Sequence, residues 1–72
     1  MLNLTDISKI PQSGYIYFMA EWNQESVDLL VQLKKLKNEI HVVDLEASED
    51  IADHFSVAEV PKMIEVKNQK MV

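Results

Sequence analysis

The sequence predicts an α/β fold in which helices connect the strands of a central mixed sheet. The run "YIYFM" is continuously aromatic and β-branched, which is typical of a strand buried on both faces. The segment "ESVDLLVQLKKLK" repeats its apolar residues at helical spacing, and two short apolar segments near the end flank a turn. With 72 residues the chain has room for one domain, residues 1–72, and a small core.

Two short elements precede the main strand. "MLNL" predicts a short strand, and Thr5 or Asp6 caps a single turn that Pro11 stops. The stretch "PQSG" then forms a turn, and residues 15–19 follow as the central strand of the sheet.

The most regular element is the helix after Trp22. Asn23 is its predicted N-cap, and Glu25 lies in the first turn, where a negative charge complements the helix dipole. Three lysines match the opposite end of the dipole: Lys34, Lys35 and Lys37. We expect Asn38 to end the helix in a left-handed conformation.

The second half of the chain repeats this alternation and then closes with a hairpin. "EIHVVDL" predicts a second buried strand, and "SEDIADHF" predicts a short helix capped by Ser48 with acidic residues at its start. "VPKMIEV" and "KMV" flank a turn at residues 67–70. From residue 15 onward the order is therefore βαβαββ, and right-handed crossovers restrict the topology.

Composition excludes several classes of function. The net charge of -5 leaves no basic stripe for nucleic acid or for an acidic membrane surface, and no apolar run approaches the roughly 20 residues of a membrane span. The chain has no cysteine, so it offers no disulfide, thiolate nucleophile or Cys-type zinc site. The N-terminus lacks the features of a signal peptide. We expect a cytoplasmic protein that needs no cofactor.

The residues "FMAEW" and "VPKMIEVKNQK" resemble the thioredoxin family. That family's pattern is a strand, Ala-Glu-Trp or Ala-Pro-Trp, Cys-x-x-Cys, a helix, and later Val-Pro, a strand and Lys-Asn-Gly. "DLEASEDIADHFSVAEVP" is most similar to the N-terminal thioredoxin-like module of multidomain monothiol glutaredoxins. The resemblance implies a thioredoxin-like fold. It also implies a cis bond before Pro61, with the Val60 backbone exposed to extended partner chains. Without the resemblance, Pro61 would begin an edge strand in the commoner trans form.

The catalytic residues of that family are missing. A Cys-x-x-Cys belongs at a helix N-terminus because the dipole and the free N–H groups stabilise the thiolate. The matching positions hold Asn23, Gln24, Glu25 and Ser26. The resemblance further implies that Tyr17 stands where the family has a buried acid and Val42 where it has the paired lysine. We therefore expect a redox-inactive protein that is not an enzyme.

The sequence offers few residues for a different catalytic or metal site on the same fold. The candidate residues for a catalytic triad or a metal site are Ser26, His54 and several acidic residues. Ser48, Glu49 and Asp50 are expected to form a helix start, His54 lies beside Phe55 on a short amphipathic helix, and His41 lies in a strand. No second histidine stands at a ligand spacing, so we expect no metal site and no hydrolase.

The end of the chain departs from the family, whose members continue into a helix that covers one face of the sheet. We therefore predict a thioredoxin-like fold lacking that C-terminal helix. In the last long strand Met63 and Glu65 share one face, whereas Ile64 and Val66 share the other. Glu65 is either a charge that protects an edge strand from aggregation or a sign that its face is uncovered. An uncovered face, or the last strand, would then meet a partner chain, a second copy or a removed C-terminal segment.

The sequence thus predicts a non-catalytic thioredoxin-like module that binds a protein partner. Its expected binding surface consists of Trp22, Asn23, Gln24, Glu25, Ser26, Val60 and Pro61. Trp22 is a side chain of the kind that dominates interfaces, although its ring could instead pack over its own domain. The alternative function is a degenerate subunit or targeting module of a larger redox or iron–sulfur-handling assembly like the monothiol glutaredoxins. A working oxidoreductase is excluded by the absent cysteines.

Overall fold

The computed structural model describes residues 2–35 and 40–72. Its elements, in chain order, are β1 (Leu2–Asn3), a 3-10 turn (Ile7–Lys9), β2 (Ser13–Met19), α1 (Gln24–Leu33), β3 (Ile40–Asp44), α2 (Glu49–His54), β4 (Lys62–Lys67) and β5 (Lys70–Met71). From β2 onward this is the predicted βαβαββ order, and "MLNL" does contain a short strand. No helix in the described part of the chain has the length and apolar character to span a membrane.

The five strands form one mixed sheet in the order β1-β3-β2-β4-β5. Strands β1, β3 and β2 run parallel, while β4 and β5 run antiparallel to their neighbours. The prediction that residues 15–19 form the central strand is confirmed. Because β2 and β3 are parallel, the loops that follow them meet at one edge of the sheet, where β4 also begins.

The two helices cover opposite faces of this sheet. The face under α2 carries the larger core, in which Ile16, Phe18 and Ile64 pack with Ile51 and Phe55 of the α2 segment. The face under α1 carries a smaller cluster of four buried residues: Tyr17, Met19, Ile40 and Val42. Three half-buried side chains of α1 pack against that cluster: Val27, Leu30 and Leu33.

Strand β2 is longer at its start and less buried than the sequence predicts. It begins at Ser13 rather than at Tyr15. Gly14, its second residue, has a φ of 133°, a backbone conformation that residues other than glycine rarely adopt. Tyr15 is 43% exposed, so the strand is buried on both faces only from Ile16 onward. On the α1 side, the described residues of the helix pack against the cluster that contains Tyr17 and Met19, and this cluster does not include Tyr15.

Helix α1 is shorter than predicted. It ends at Leu33, and Lys34, its C-cap, keeps right-handed helical angles. The Lys35 N–H donates to the Gln32 carbonyl over 3.1 Å, so a tight turn with an i to i−3 bond replaces the helical pattern. Lys34 and Lys35 therefore follow the helix instead of forming its last turn. The predicted positions of Lys37 and Asn38 lie outside the described residues.

The caps and turns of the other elements have the predicted positions. Asp6 caps the 3-10 turn by accepting from the Ser8 N–H at 2.9 Å and the Ser8 hydroxyl at 2.7 Å, and these bonds lower the pKa of its carboxyl. Ser48 is the N-cap of α2, but its side chain makes no capping bond. The hairpin turns at Asn68 and Gln69, both at positive φ, as tight hairpin turns require.

The hairpin turn is tied to the segment that precedes β2. The Gln69 side-chain amide donates to the Ile10 carbonyl at 3.0 Å, and the Gln69 backbone N–H donates to the Gln12 carbonyl at 3.1 Å. The hairpin turn and the segment before β2 are therefore fastened to each other at the end of the sheet opposite the β2–α1 loop.

Candidate partner-binding surface

The loop between β2 and α1 presents Trp22 to solvent. The chain turns tightly here because the Asn23 N–H donates to the Ala20 carbonyl over 3.0 Å. Trp22 lies inside this turn and is 64% exposed. Its ring is therefore available at the surface and does not pack over its own domain.

Asn23 joins the loop both to the helix and to the edge of β4. Its side-chain oxygen accepts from the Ser26 N–H at 2.8 Å, which is the predicted N-cap bond. Its side-chain nitrogen lies 3.5 Å from the Val60 carbonyl oxygen, at the outer limit of a hydrogen bond. These contacts place the loop and the residues before β4 next to each other, as the predicted surface requires.

Ser26 lies beneath the loop and not on its surface. It is fully buried, and its hydroxyl lies 2.9 Å from the Ala20 carbonyl and 2.7 Å from the Asn23 carbonyl. The Ala20 N–H donates to the same hydroxyl at 3.1 Å. The prediction that Ser26 contacts a partner is therefore wrong: its short side chain folds back beneath the loop, where its hydroxyl accepts from the Ala20 N–H.

Tyr17 completes this buried network. Its hydroxyl donates to the Ser26 carbonyl at 2.7 Å, and the residue is 2% exposed. Burial, and secondarily the negative charge of Glu25, raise the pKa of the phenol. In the sheet Tyr17 is paired with Val42. A neutral phenol and an aliphatic side chain thus occupy two neighbouring positions of the core next to the loop.

The remaining predicted residues lie around Trp22 in two groups. Gln24 and Glu25 are exposed on the first turn of α1, and the Gln24 side chain donates to Asp28 at 2.9 Å. Val60 and Pro61 are half-buried, and the peptide bond between them is cis. Within the described residues the Val60 N–H donates no hydrogen bond, so it can pair with a docked chain.

The histidines and acidic residues do not converge on a second site. His54 packs edge-on against Phe55, with 4.8 Å between the ring centroids. His41 lies in β3, where its Nδ1 atom is buried without a partner among the described residues. In residues 2–35 and 40–72 no group of three or more metal-ligating side chains could hold a metal ion.

The structure also contains a cleft beside the loop, which the sequence did not predict. It has a volume of about 310 Å³ and lies where β1, β3 and β2 approach α1. Its lining includes Glu21, the residue before Trp22, and Asp44, the last residue of β3. The general tendency of ligands to bind outside the carboxyl ends of parallel strands is the one signal that could have located it.

Comparison with known proteins places the fold but not the activity. No family model and no curated protein matches the chain. Among solved structures, oxidised mitochondrial thioredoxin 3 from Saccharomyces cerevisiae superposes with a TM-score of 0.83 at 22% identity. That match covers all of this chain and 78% of the yeast chain.

Two further structures support the same architecture. Reduced thioredoxin from Schistosoma mansoni has a TM-score of 0.67 at 20% identity, and the match covers all of this chain and 77% of that one. The zinc-bound form of human ERp44 has a TM-score of 0.69 at 18% identity, covering all of this chain and 24% of that protein. At these identities the similarity is one of fold alone. The sheet order, the two helices on opposite faces and these superpositions together show that the chain has the thioredoxin fold.

Proposed function

We propose that the chain is a non-catalytic thioredoxin-like module that binds a protein partner through the Trp22 surface. We define this surface as Trp22, Asn23, Gln24, Glu25, Val60 and Pro61. The observation that carries the proposal is the 64% exposure of Trp22 beside a backbone N–H of Val60 that is not used within the described chain. Exposed tryptophans at the centre of a patch are among the residues that contribute most to interfaces.

The architecture of the loop supports binding because the surface is pre-organised. Ser26 and Tyr17 hold the loop from below, and Asn23 fixes it at the helix start. A rigid loop loses little conformational entropy when a partner docks, which favours affinity. Ser26 contributes to binding by holding the loop and not by direct contact.

The absence of cysteine supports a non-catalytic function. Asn23 and Ser26 stand at the ends of the position where the resemblance implies Cys-x-x-Cys, and neither side chain transfers electrons. In the loop each of them instead makes hydrogen bonds to the backbone. We expect no reduction of insulin disulfides by the pure protein above the rate of the buffer with dithiothreitol; acceleration would contradict the non-catalytic proposal.

The test of partner binding compares two exposed apolar side chains. Trp22→Ala removes the proposed anchor, whereas Val31→Ala removes another exposed apolar side chain, 51% exposed on α1, away from the loop. Immobilised wild-type and variant domains are used to capture proteins from a lysate, and the captured proteins are quantified. We expect Trp22→Ala to lose at least 80% of a specific subset that Val31→Ala retains.

Two controls make this comparison decisive. Circular dichroism and thermal unfolding must show that both variants fold, since Trp22 is a surface residue and its loss should leave the core intact. A captured protein is then titrated into the wild type while Trp22 fluorescence is followed, and direct binding should change the emission. Equal capture by both variants, or unchanged emission with a captured protein, would contradict the proposed surface.

A second candidate is a module of a larger redox or iron–sulfur-handling assembly. The observation that favours it is that human ERp44 carries this fold in a match that covers 24% of its length, so the fold also serves as one part of a longer chain. The segment "DLEASEDIADHFSVAEVP" resembles modules of monothiol glutaredoxins, and this resemblance is the reason for proposing an assembly of that kind. A Cys-Gly-Phe-Ser motif encoded in the same reading frame would support this candidate, and a stop codon directly after Val72 would contradict a fused glutaredoxin domain.

A further inference from the structure

The cleft beside the Trp22 surface combines apolar walls with a polar rim. Met19, Leu30 and Val42 supply hydrophobic side chains, and each is at most half exposed. Glu21 and Asp44 supply two carboxylates, and none of the described residues that line the cleft is a lysine or a histidine. The volume of about 310 Å³ is at the lower end of what ligand sites occupy, so it suits a side chain better than a large cofactor.

Asp44 keeps most of its hydrogen-bonding capacity free. One of its carboxylate oxygens accepts from the Glu46 N–H at 3.0 Å, and it has no other hydrogen bond within the described residues. An ionised carboxylate can accept about four hydrogen bonds, so Asp44 retains sites for a cationic donor. Glu21, which is exposed at the mouth of the cleft, can add a second carboxylate.

Ser48 provides an independent indication that the cleft receives a polar group. Its residue is 2% exposed, yet its side chain makes no capping bond to α2 and no other hydrogen bond within the described residues. It lines the cleft. The Ser48 Oγ atom is not one of the described residues' fully buried polar atoms without a partner, so it is open to the cleft that Ser48 lines, and a ligand donor or acceptor there can pair with it.

We propose that the cleft binds the lysine or arginine side chain of the protein segment that docks on the Trp22 surface. The aliphatic stem would lie along Met19, Leu30 and Val42, and the cationic group would meet Glu21 and Asp44. Long basic side chains bury their stems and keep their charged ends at polar groups in this way. The proposal rests on the proposed function, because it specifies the chemistry of the partner that binds there.

The charge of the surrounding surface complements a basic segment. Four exposed acidic residues belong to the loops and helix start at this edge of the sheet: Glu21, Glu25, Glu46 and Glu59. Lys62 is the basic residue at the start of β4 on the same edge. An excess of negative charge steers a cationic segment toward the surface and disfavours an acidic one.

The spacing of the strands makes simultaneous contacts feasible. Val60 precedes β4, whereas Asp44 ends β3, and β2 lies between these two strands. Two strand spacings amount to about 10 Å, which an extended chain covers in about three residues at about 3.3 Å each. A segment that pairs with the Val60 backbone can therefore place a basic side chain in the cleft about three residues further along, passing Trp22 on the way.

The cleft can be tested directly with two small probes. N-acetyl-lysine methylamide and N-acetyl-norleucine methylamide share the aliphatic stem, but only the first carries an ammonium group. Each is titrated into ¹⁵N-labelled protein, and the amide resonances of Thr5, Glu46 and Ser48 report on the cleft. We expect saturable shifts with the lysine probe and at least fivefold weaker binding of the norleucine probe.

Variants then assign the binding to the two carboxylates. Glu21→Gln combined with Asp44→Asn keeps the size of both side chains and removes both charges, whereas Glu59→Gln removes one acidic charge outside the cleft. The double variant should bind the lysine probe at least fivefold more weakly, and Glu59→Gln should bind it within twofold of wild type. Unchanged resonances with the lysine probe, equal binding of norleucine, or unchanged affinity in the double variant would each overturn the proposal.

Partner capture separates this proposal from the proposed function. If Trp22→Ala loses its partners while the double variant binds them with wild-type affinity, the cleft proposal fails and the Trp22 surface stands. If the lysine probe enters the cleft but Trp22→Ala captures every partner, the Trp22 surface fails and the cleft remains a site for basic side chains. Loss of the same partners in both variants supports both.

Discussion

The two faces of the sheet are closed to different degrees. Under α2, eleven buried residues of the described part of the chain form one continuous core, and Leu4 and Ile10 from the start of the chain are among them. Under α1, the cluster has four buried members among the residues that the structure describes, while Tyr15 is 43% and Met63 is 38% exposed on the same face. The same strands supply both faces, so the difference comes from what packs on them.

This difference suggests that one face of the sheet mainly stabilises the fold and that the other carries the proposed binding surface. The α2 face buries most of the apolar surface and should supply most of the free energy of folding. The α1 face carries the loop network of Tyr17 and Ser26, the exposed Trp22 and the acidic cleft. Hydrogen bonds therefore replace part of the hydrophobic packing on the face that we propose to bind a partner.

The largest expected effect compares two neighbours in β4. Ile64 is 5% exposed and points to the α2 face, whereas Met63 points to the α1 face. Ile64→Ala should lower the free energy of unfolding by about 2–5 kcal/mol through the lost apolar contacts and the cavity, and Met63→Ala by less than about 1 kcal/mol. Urea unfolding followed by circular dichroism measures both, and equal losses would contradict the unequal closure of the faces.

A smaller effect is expected from two buried serines. Ser26→Ala removes the buried hydroxyl that accepts from the Ala20 N–H, and leaving that N–H without this bond should cost about 1–3 kcal/mol. Ser48→Ala removes a hydroxyl without a hydrogen bond in the described chain and should change stability by less than about 0.5 kcal/mol. Thermal unfolding ranks the two variants. If Ser48→Ala is the more harmful change, the loop network is not what stabilises the α1 face.

The smallest effect concerns the phenol of Tyr17. Tyr17→Phe keeps the ring and loses the bond to the Ser26 carbonyl, which should cost about 1 kcal/mol at pH 7. The raised pKa means that the folded state favours the neutral phenol. Its contribution is therefore complete below about pH 10 and is lost as the pH rises through the raised value.

The pH dependence separates the phenol from other groups. The stability difference between wild type and Tyr17→Phe should be constant from pH 6 to pH 9 and shrink above about pH 10. Urea unfolding of both proteins across this range measures it, and the variant serves as the control for all other titrating groups. A difference that grows above pH 10 would mean that the phenolate is stabilised in the fold.

Much of the architecture follows from short-range patterns in the sequence. The apolar run of β2, the acidic start of α2 and the hairpin turn at residues 67–70 each depend on neighbouring residues, and all three were predicted. The length of α1 was not, because the lysines after Leu33 continue the helical pattern while the backbone turns at Lys35. Helix propensity depends on local sequence, whereas the residue at which the chain leaves the helix depends on the position of the next strand.

The sequence predicted only those parts of the candidate site whose residues are adjacent in the chain. The adjacent residues from Trp22 to Ser26 were identified, but the inward direction of the Ser26 hydroxyl depends on the Ala20 and Asn23 carbonyls of the folded loop. The cleft depends on the ends of three strands and one helix meeting in space, so no single stretch of sequence carries it. The buried position of Ser48 beside that cleft was likewise visible only in three dimensions.

The attachment of Gln69 to Ile10 and Gln12 has a consequence for local unfolding. These bonds join the hairpin to the segment before β2, and the bond to Ile10 spans 59 residues of sequence. Opening of the hairpin would therefore release the N-terminal segment as well, so both should behave as one cooperative unit in hydrogen exchange. Gln69→Ala would remove the side-chain bond to Ile10 and keep the backbone bond to Gln12, so the exchange rates of the two segments should become less closely coupled at the end of the sheet far from Trp22.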